Sequence, residues 1–436
     1  MALGGKSCEP EARPPEDPQR AAPPAACCLL TIPNGAINPM TGGGQRSALL
    51  FEGLKRLGQV TVVILGVSRH TRAGAFFPGA ERVIGIPLKS FELVERNALK
   101  RTFRAAVRLL FPTSSFAVVP SLRAELTRLI AREREAGAPV IVAFRYFRTM
   151  ARSGVVADPA GNLFVVVDMD DRDDGKAMTQ LRARFGPALG GLLAALVGPR
   201  VLRSMSERLR GASLVMVAKP DDLVAHDDLR QTVIPNVPRS VPGDVRAHPA
   251  GSGTSLLFVG SAENTPNRKA VDWFLETCWH RIRSAVPDAE FRIVGIGDWQ
   301  ALIDKHGHKD GVVFVGYRAD VAPEYRAARA AVSPVFEGAG SQIKVIEACG
   351  HGRPVVASRL TGSGFGREIE RLIRPVDAAD AFSEACIRYL TDATLATEVG
   401  LRLRELQQAQ LSRHSVVDRI AEQVRAVAIP EMRALS

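Results

Sequence analysis

Short unbroken runs of apolar residues alternate along this chain with segments whose apolar residues recur every three or four positions. An unbroken run bounded by Gly, Pro, Asn or Asp suits a strand covered on both faces of a parallel sheet, and the wider spacing suits the helices that cover it. Runs of the first kind fall at Cys27–Ile32, Val60–Leu65, Phe116–Val119, Val140–Phe144, Phe164–Val167 and Leu214–Val217, and Thr232-Val233-Ile234 leads on to a proline-rich segment. Helical spacing lies between them: through Leu49, Leu50, Leu54 and Leu57, at about 91–110 and 122–135, and over about 177–209. After Pro235-Asn236-Val237-Pro238 the composition shifts to Pro, Gly, Ser and Ala as far as Thr254, which marks a linker. The alternation then restarts. Strands are expected at Leu256–Val259, Phe291–Val294, Val312–Val315, Ala331–Ser333 and Val355–Ala357, with helices in the gaps, one of them over Ala270–Val286. The pattern predicts an α/β protein of two Rossmann-like, doubly wound parallel-sheet domains facing across a cleft, residues 26–237 and 254–425, joined by a linker at 238–253. Residues 1–25, rich in Pro and Ala, read as a disordered leader and 426–436 as a tail. A last helix at about 416–427 is placed to pack back on the first domain.

Composition narrows the partners. The chain has 436 residues, too many for one ordinary core, and 46% of them are hydrophobic, enough to fill two. The net charge of +11 suits an anionic partner (nucleotide, lipid headgroup or nucleic acid), and general solubility accounts for it equally well. Arginine is scattered rather than gathered among aromatics, which are only 6% of residues, so nucleic acid is the anion least expected. Cys8, Cys27, Cys28, Cys278, Cys349 and Cys386 show neither metal-type spacing nor a disulfide framework, which points to a reducing, cytoplasmic setting and no metal centre. The amino-terminal segment lacks the apolar core of a secretory signal. The most apolar later stretch, Ala188–Val197, is too short to cross a bilayer and holds two glycines, so no transmembrane helix is expected. Leu99–Leu110, LKRTFRAAVRLL, is basic and amphipathic; it suits peripheral contact with the inner face of an anionic membrane, or packing on its own sheet.

Candidate chemistry concentrates in residues 338–358, GAGSQIKVIEACGHGRPVVAS. Gly338, Ala339 and Gly340 are small enough for a ligand to reach the backbone, and Ser341 is a natural N-cap, so the free N–H groups of the helix behind it would face that ligand. Lys344 and Glu347, three apart on one helix face, offer a cation for phosphate and a carboxylate for hydroxyl groups; left exposed they would simply pair with each other. Strands that end in glycine, at Gly260 and Gly316, face the same edge of the second sheet. In the first half Thr41-Gly42-Gly43-Gly44 follows the opening strand, where ligands of parallel sheets bind; a flexible loop is the plainer reading. Arg145 and Arg148 follow the strand Val140–Phe144 and suit an anionic acceptor or an ordinary surface. Asp168-Met169-Asp170-Asp171 follows Phe164–Val167, where Asp168 or Asp170 can orient or activate an acceptor hydroxyl. Loop capping is the alternative, and a DxD metal site sits badly with a two-domain pattern.

These residues resemble the retaining GT-B glycosyltransferases of family 4. Ser255–Gly297, SLLFVGSAENTPNRKAVDWFLETCWHRIRSAVPDAEFRIVGIG, is similar to the opening of the family's donor domain. So is Val312–Val356, and Val233–Pro238 is similar to the segment before its linker. The resemblance spans roughly 26–425 and is concentrated in the second half. It implies transfer of a sugar from a nucleotide-sugar, UDP- or GDP-type, to an acceptor hydroxyl of a glycan or lipid-linked saccharide, with retention of configuration and with neither metal nor other cofactor. It implies that Glu347, as the second glutamate of the E-x7-E motif, holds the ribose hydroxyls. The first glutamate would fall at Ala339, and Glu337 stands ten residues before Glu347 rather than eight. The chain resembles members with a Gly-Ala-Gly…Lys version of the motif, and here Glu337 or the backbone N–H groups of Gly338–Ser341 are the candidates for that contact. Ser261 stands where the family's diphosphate-binding Arg is expected, which leaves Lys344 first and Arg268 and Lys269 second for the diphosphate. Gly316–Arg318 lies where backbone groups meet the base. Two other readings share the fold. A nucleotide-sugar 2-epimerase needs more carboxylates and a histidine than this motif carries. A non-catalytic nucleotide-sugar-binding or partner-binding protein is favoured by Ala339 and Ser261.

Overall fold

The computed structural model describes residues 26–38, 41–67, 73–87, 116–135, 137–169, 172–238, 253–337 and 343–428. The leader 1–25, the basic segment Leu99–Leu110, most of the linker, Asp170 and the stretch Gly338–Ser341 lie outside the described residues.

The first sheet has seven strands: β1 (Ala26–Pro33), β2 (Gly58–Leu65), β3 (Arg82–Ile86), β4 (Val140–Arg145), β5 (Leu163–Met169), β6 (Leu214–Val217) and β7 (Gln231–Val233), in the order β3-β2-β1-β4-β5-β6-β7. The second has five: β8 (Ser255–Val259), β9 (Glu290–Val294), β10 (Val312–Gly316), β11 (Ala330–Ser333) and β12 (Val355–Ala357), in the order β10-β9-β8-β11-β12. Every strand pairing is parallel. The unbroken apolar runs are explained by this. Val62, Val63 and Ile64 point alternately to opposite faces of β2, yet all three are fully buried, because helices cover both faces.

Three expectations change. Phe116–Val119 is not a strand; it leads into the helix Pro120–Arg134. Proline has no N–H for a sheet ladder and suits the first turn of a helix, so the apolar run before it serves as an anchor, with Phe116 edge-on to Phe147 at 4.9 Å. Strand β3 was not foreseen, because Arg82-Val83-Ile84-Gly85-Ile86 sits at the sheet edge, partly exposed, and offers no long apolar run. The apolar stretch after Ala188 also extends further than Val197. It belongs to the helix Asp173–Leu209, which breaks at Gly186 (φ 77°), and its portion Ala188–Leu209 is 22 residues long with a mean hydropathy of 1.2, enough by length and composition to cross a membrane.

The carboxyl-terminal helix Arg413–Ala428 lies against the helix Gly42–Lys55 of the first domain. Arg413 grips Glu52 with two bonds of 2.8 Å each. A side chain at Gly53 would meet Ile420 at 2.4 Å, so the two helices touch backbone to side chain there. Alanine in place of an interior helical glycine ordinarily gains about 0.5–1 kcal/mol. Overpacking costs about 1–3 kcal/mol, and the contact with Ile420 reaches its Cβ, which cannot swing aside. Gly53→Ala is therefore expected to lower stability, read as a lower urea midpoint with an unchanged slope. A raised midpoint would mean that the carboxyl-terminal helix does not rest on Gly53.

Candidate functional site

Strand order reverses between β1 and β4 and again between β8 and β11. At such a reversal the connecting helices leave to opposite faces and a crevice opens beyond the carboxyl ends of the strands. The candidate side chains stand at these two places.

In the second crevice, helices Thr265–Thr277 and Ile343–Gly350 converge. Lys344 Nζ donates to Asn267 Oδ1 at 2.6 Å and lies 4.4 Å from the centre of the Phe258 ring. Asn267 in turn donates to the Ser261 carbonyl at 3.0 Å. A side chain at Gly260 would sit 2.8 Å from the Asn267 amide nitrogen, so glycine at the end of β8 is what admits Asn267. Burial pulls the Lys344 ammonium down to about 7. Among the described residues no carboxylate offsets it. The neutral amide and the aromatic face orient the charge without neutralising it.

Glu347 does not pair with Lys344. It accepts from the Tyr325 hydroxyl at 3.0 Å. Burial pushes its carboxyl up to about 7, against the opposing pull of that hydrogen bond. Tyr325 is buried and stacks on His351, ring centres 4.6 Å apart and planes 10° from parallel. Burial first, and the Glu347 carboxylate second, hold the Tyr325 phenol well above its ordinary value. One turn of helix thus carries an uncompensated cation and an uncompensated acid, each held by a neutral partner.

The other donor-side candidates are occupied differently. Arg268 donates to the Ala262 carbonyl and, at 3.1 Å, to Thr265 Oγ1, curling onto its own loop. Lys269 pairs with Glu337 at 2.7 Å across the rim, both side chains exposed. Gly316 ends β10 in the left-handed region (φ 74°), its carbonyl accepting from the Gly295 N–H at 2.9 Å. Gly338, Ala339, Gly340 and Ser341 lie outside the described residues. Away from the crevice, ligand atoms of Asp272, Glu276 and His306 lie within 4.8 Å of one another. The Lys305 ammonium already fills that space, 2.8 Å from Asp272.

The first crevice is filled from inside. Arg46, Arg145 and Asp168 are only 3%, 0% and 1% exposed. The Asp168 carboxylate accepts from Arg46 Nη2 at 2.6 Å and from Arg145 Nη1. Arg46 also donates to Asn236 Oδ1 at 3.2 Å and to the Ile234 carbonyl, and Arg145 donates to Ser47 Oγ at 3.1 Å. Burial alone would raise Asp168, but Arg46 and Arg145 hold it below the usual carboxylate range. This differs from the expectation for Asp168: both its oxygens are taken by Arg46 and Arg145 and the side chain is buried, so it does not stand as a free acid at the cleft. Arg145 is likewise interior, whereas Arg148 is exposed on the helix Phe147–Ser153. Asp170 lies outside the described residues. Gly42, Gly43 and Gly44 are the first turn of the helix Gly42–Lys55 rather than a loose loop, capped by Thr41, which accepts from the Gly44 N–H at 3.2 Å. A side chain at Gly43 would lie 3.0 Å from the Tyr146 hydroxyl, and Tyr146 has a φ of 70°, a strained value for a non-glycine residue.

The sequence reading missed Arg46, Asn267 and Tyr325. Arg46 shares a helix face with Leu50 and Leu54, so a cation in an apolar stripe was the signal. Asn267 and Tyr325 stand in quoted segments, Pro266-Asn267-Arg268 and Pro323-Glu324-Tyr325, with nothing in their local pattern to set them apart.

Residues 253–392 match the family described as Glycosyl transferases group 1. A glycosyltransferase from Rickettsia africae ESF-5 superposes with a TM-score of 0.57 at 12% identity, over 92% of this chain and 98% of that one. Anabaena HepE in complex with UDP gives 0.57 at 13% identity, over 91% and 99%. For S. aureus TarM the TM-score is 0.46 at 15% identity, over 66% of this chain and 55% of that one, so the chain spans about half the length of TarM. No curated protein sequence matches the chain significantly. Two parallel-sheet domains and the full-length likenesses make the fold GT-B.

Asp168→Ala would strand two buried guanidiniums, and breaking a buried ion pair from one side costs about 3–5 kcal/mol. Because the folded carboxyl lies below its unfolded value of about 3.9, its stabilisation is complete above that pH and is lost as pH falls through the folded value. The gap in urea midpoint between wild type and Asp168→Ala is expected to be constant from pH 5 to 8 and to narrow only below about pH 4. A gap that closes near neutrality would contradict the ion cluster.

Proposed function

We propose that this protein is a glycosyltransferase that moves a sugar from a nucleotide-sugar to a saccharide hydroxyl, on a glycan or a lipid-linked acceptor, with retention of configuration. The observation that carries the reading is the placement of Lys344 and Glu347 on one turn at the β8/β11 reversal, unpaired with each other and each held by a neutral partner. A nucleotide-sugar has two features that complete them. Its diphosphate supplies the negative charge that Lys344 lacks, and its ribose supplies hydroxyls to a Glu347 carboxylate. The group 1 match covers this half of the chain, and the UDP bound to HepE makes a UDP-sugar the first donor to try.

The chemistry follows from charge placement. As the bond between sugar and diphosphate lengthens, negative charge grows on the leaving phosphate. A fixed ammonium at Lys344 stabilises that charge without a metal, and removing one such preorganised group costs about two to three decades in rate. The retained configuration requires the acceptor to approach on the face the diphosphate leaves, across the cleft from the first domain.

The positions of Lys344 and Glu347 near 7 set a pH signature for binding. Above about 7 the free protein holds Lys344 neutral, so binding a diphosphate draws a proton in. Below about 7 it holds Glu347 protonated, so binding ribose as a carboxylate sends a proton out. Calorimetry with UDP-glucose in buffers of different ionisation enthalpy is expected to show proton release at pH 6 and uptake at pH 8. Lys344→Met is expected to abolish only the uptake and to slow nucleotide release by about a hundredfold or more. Proton exchange independent of pH, or no free nucleotide from any UDP- or GDP-sugar with acceptor extract, would overturn the reading.

A further inference from the structure

The helix portion Ala188–Leu209 meets the length and hydropathy of a membrane span, yet only 28% of its apolar window is buried. Its residues divide into two opposite stripes. Ala194, Val197, Val201, Met205 and Leu209 are buried in the core of the first domain, packed with strands β4–β6. That face is packed against the sheet of the first domain, which leaves the opposite stripe as the one open to a lipid surface. The opposite stripe reads Leu189, Leu192, Leu196, Arg200, Arg203, spaced by three and four, and every member is exposed. The three leucines are 53%, 60% and 56% exposed and stand on one face, unlike the isolated apolar residues any surface carries.

The charge around the stripe indicates what covers it. Over the helix Asp173–Leu209 the sequence contains Lys176, Arg182, Arg184, Arg200, Arg203 and Arg208 against Asp173, Asp174 and Glu207, the last exposed and one turn beyond Arg203, so cations outnumber acids two to one. The stripe runs from three leucines to two arginines over about 21 Å, at about 1.5 Å per residue. That layout suits a helix laid on a lipid interface: the leucines enter the acyl boundary, and the arginines at the far end of the same face carry their guanidiniums to anionic headgroups on long stems. A second copy of this chain would bring the same cation-rich surface against itself, which like-charge repulsion disfavours. The helix begins beyond the carboxyl end of β5, the edge of the sheet that faces the cleft.

We propose that the Leu189-Leu192-Leu196 face, with Arg200 and Arg203, docks the first domain in the plane of an anionic lipid surface. The proposal stands independently of the chemistry in the cleft.

The test is co-sedimentation of the full chain with vesicles of phosphatidylcholine alone or mixed with phosphatidylglycerol. Wild type is expected to bind the mixed vesicles, not the neutral ones, and to bind less as salt rises. The double variant Leu192→Glu with Leu196→Glu is expected to bind the mixed vesicles about tenfold more weakly or worse. Arg200→Glu with Arg203→Glu is expected to lose the salt-dependent part of the binding. All four side chains are exposed, so the urea midpoints should stay near wild type and UDP-glucose binding in free solution should not change. Absence of wild-type binding to mixed vesicles, or full binding by the leucine variant, would overturn the proposal. So would a concentration-dependent dimer of wild type, seen in sedimentation equilibrium and abolished by the leucine variant, which would assign the face to a second copy.

Discussion

Each sheet reverses its strand order once, and that constraint decides where a side chain can meet a ligand. In a parallel sheet the helices alternate faces only where the order reverses, so the carboxyl edge is open there and covered elsewhere. The reversals fall at β1/β4 and β8/β11, and the polar residues of both domains gather at them. The two crevices resolve the same geometry in opposite ways. At β1/β4 a carboxylate and two guanidiniums satisfy one another, and through Asn236 and Ile234 they fasten the segment that leads to the linker. At β8/β11 the cation and the acid are kept apart, and each is displaced toward 7 by burial. A closed ion cluster holds a domain edge rigid. An open pair leaves charge for something else to complete.

The rigid edge has a function of its own. Arg46 joins the first helix to β5 and to the pre-linker strand, while the carboxyl-terminal helix returns to seat on that same first helix at Gly53. The contacts of Arg46 lie within the first domain, whereas the carboxyl-terminal helix joins that domain to the chain that follows the second sheet.

Most of the fold was legible in the sequence because a strand buried on both faces leaves an unbroken apolar run, and ten of the twelve strands among the described residues were visible that way, all but the short edge strands β3 and β7. Edge strand β3 was not, since half-exposed residues leave no run. The site was legible where chemistry is local. Lys344 and Glu347 share one helical turn after a glycine-rich stretch, so their spacing alone marked them. What the sequence could not carry was partnership at a distance. Asp168 looked like a cleft acid until Arg46, 122 residues earlier, was seen to hold it. Spacing alone left Lys344 and Glu347 free to pair with each other, and it is Asn267 and Tyr325 that keep them apart. In each case the deciding contact joins residues that only the sheet order brings together.

Lys344 and Glu347 are proposed to hold the two ends of one nucleotide diphosphate, and a crystal structure of the protein with UDP is the decisive measurement. In it the Lys344 ammonium is expected to have turned from Asn267 to a phosphate oxygen, with the Glu347 carboxylate on the ribose hydroxyls. UDP bound elsewhere, or bound at the β8/β11 crevice with Lys344 still on Asn267, would contradict it.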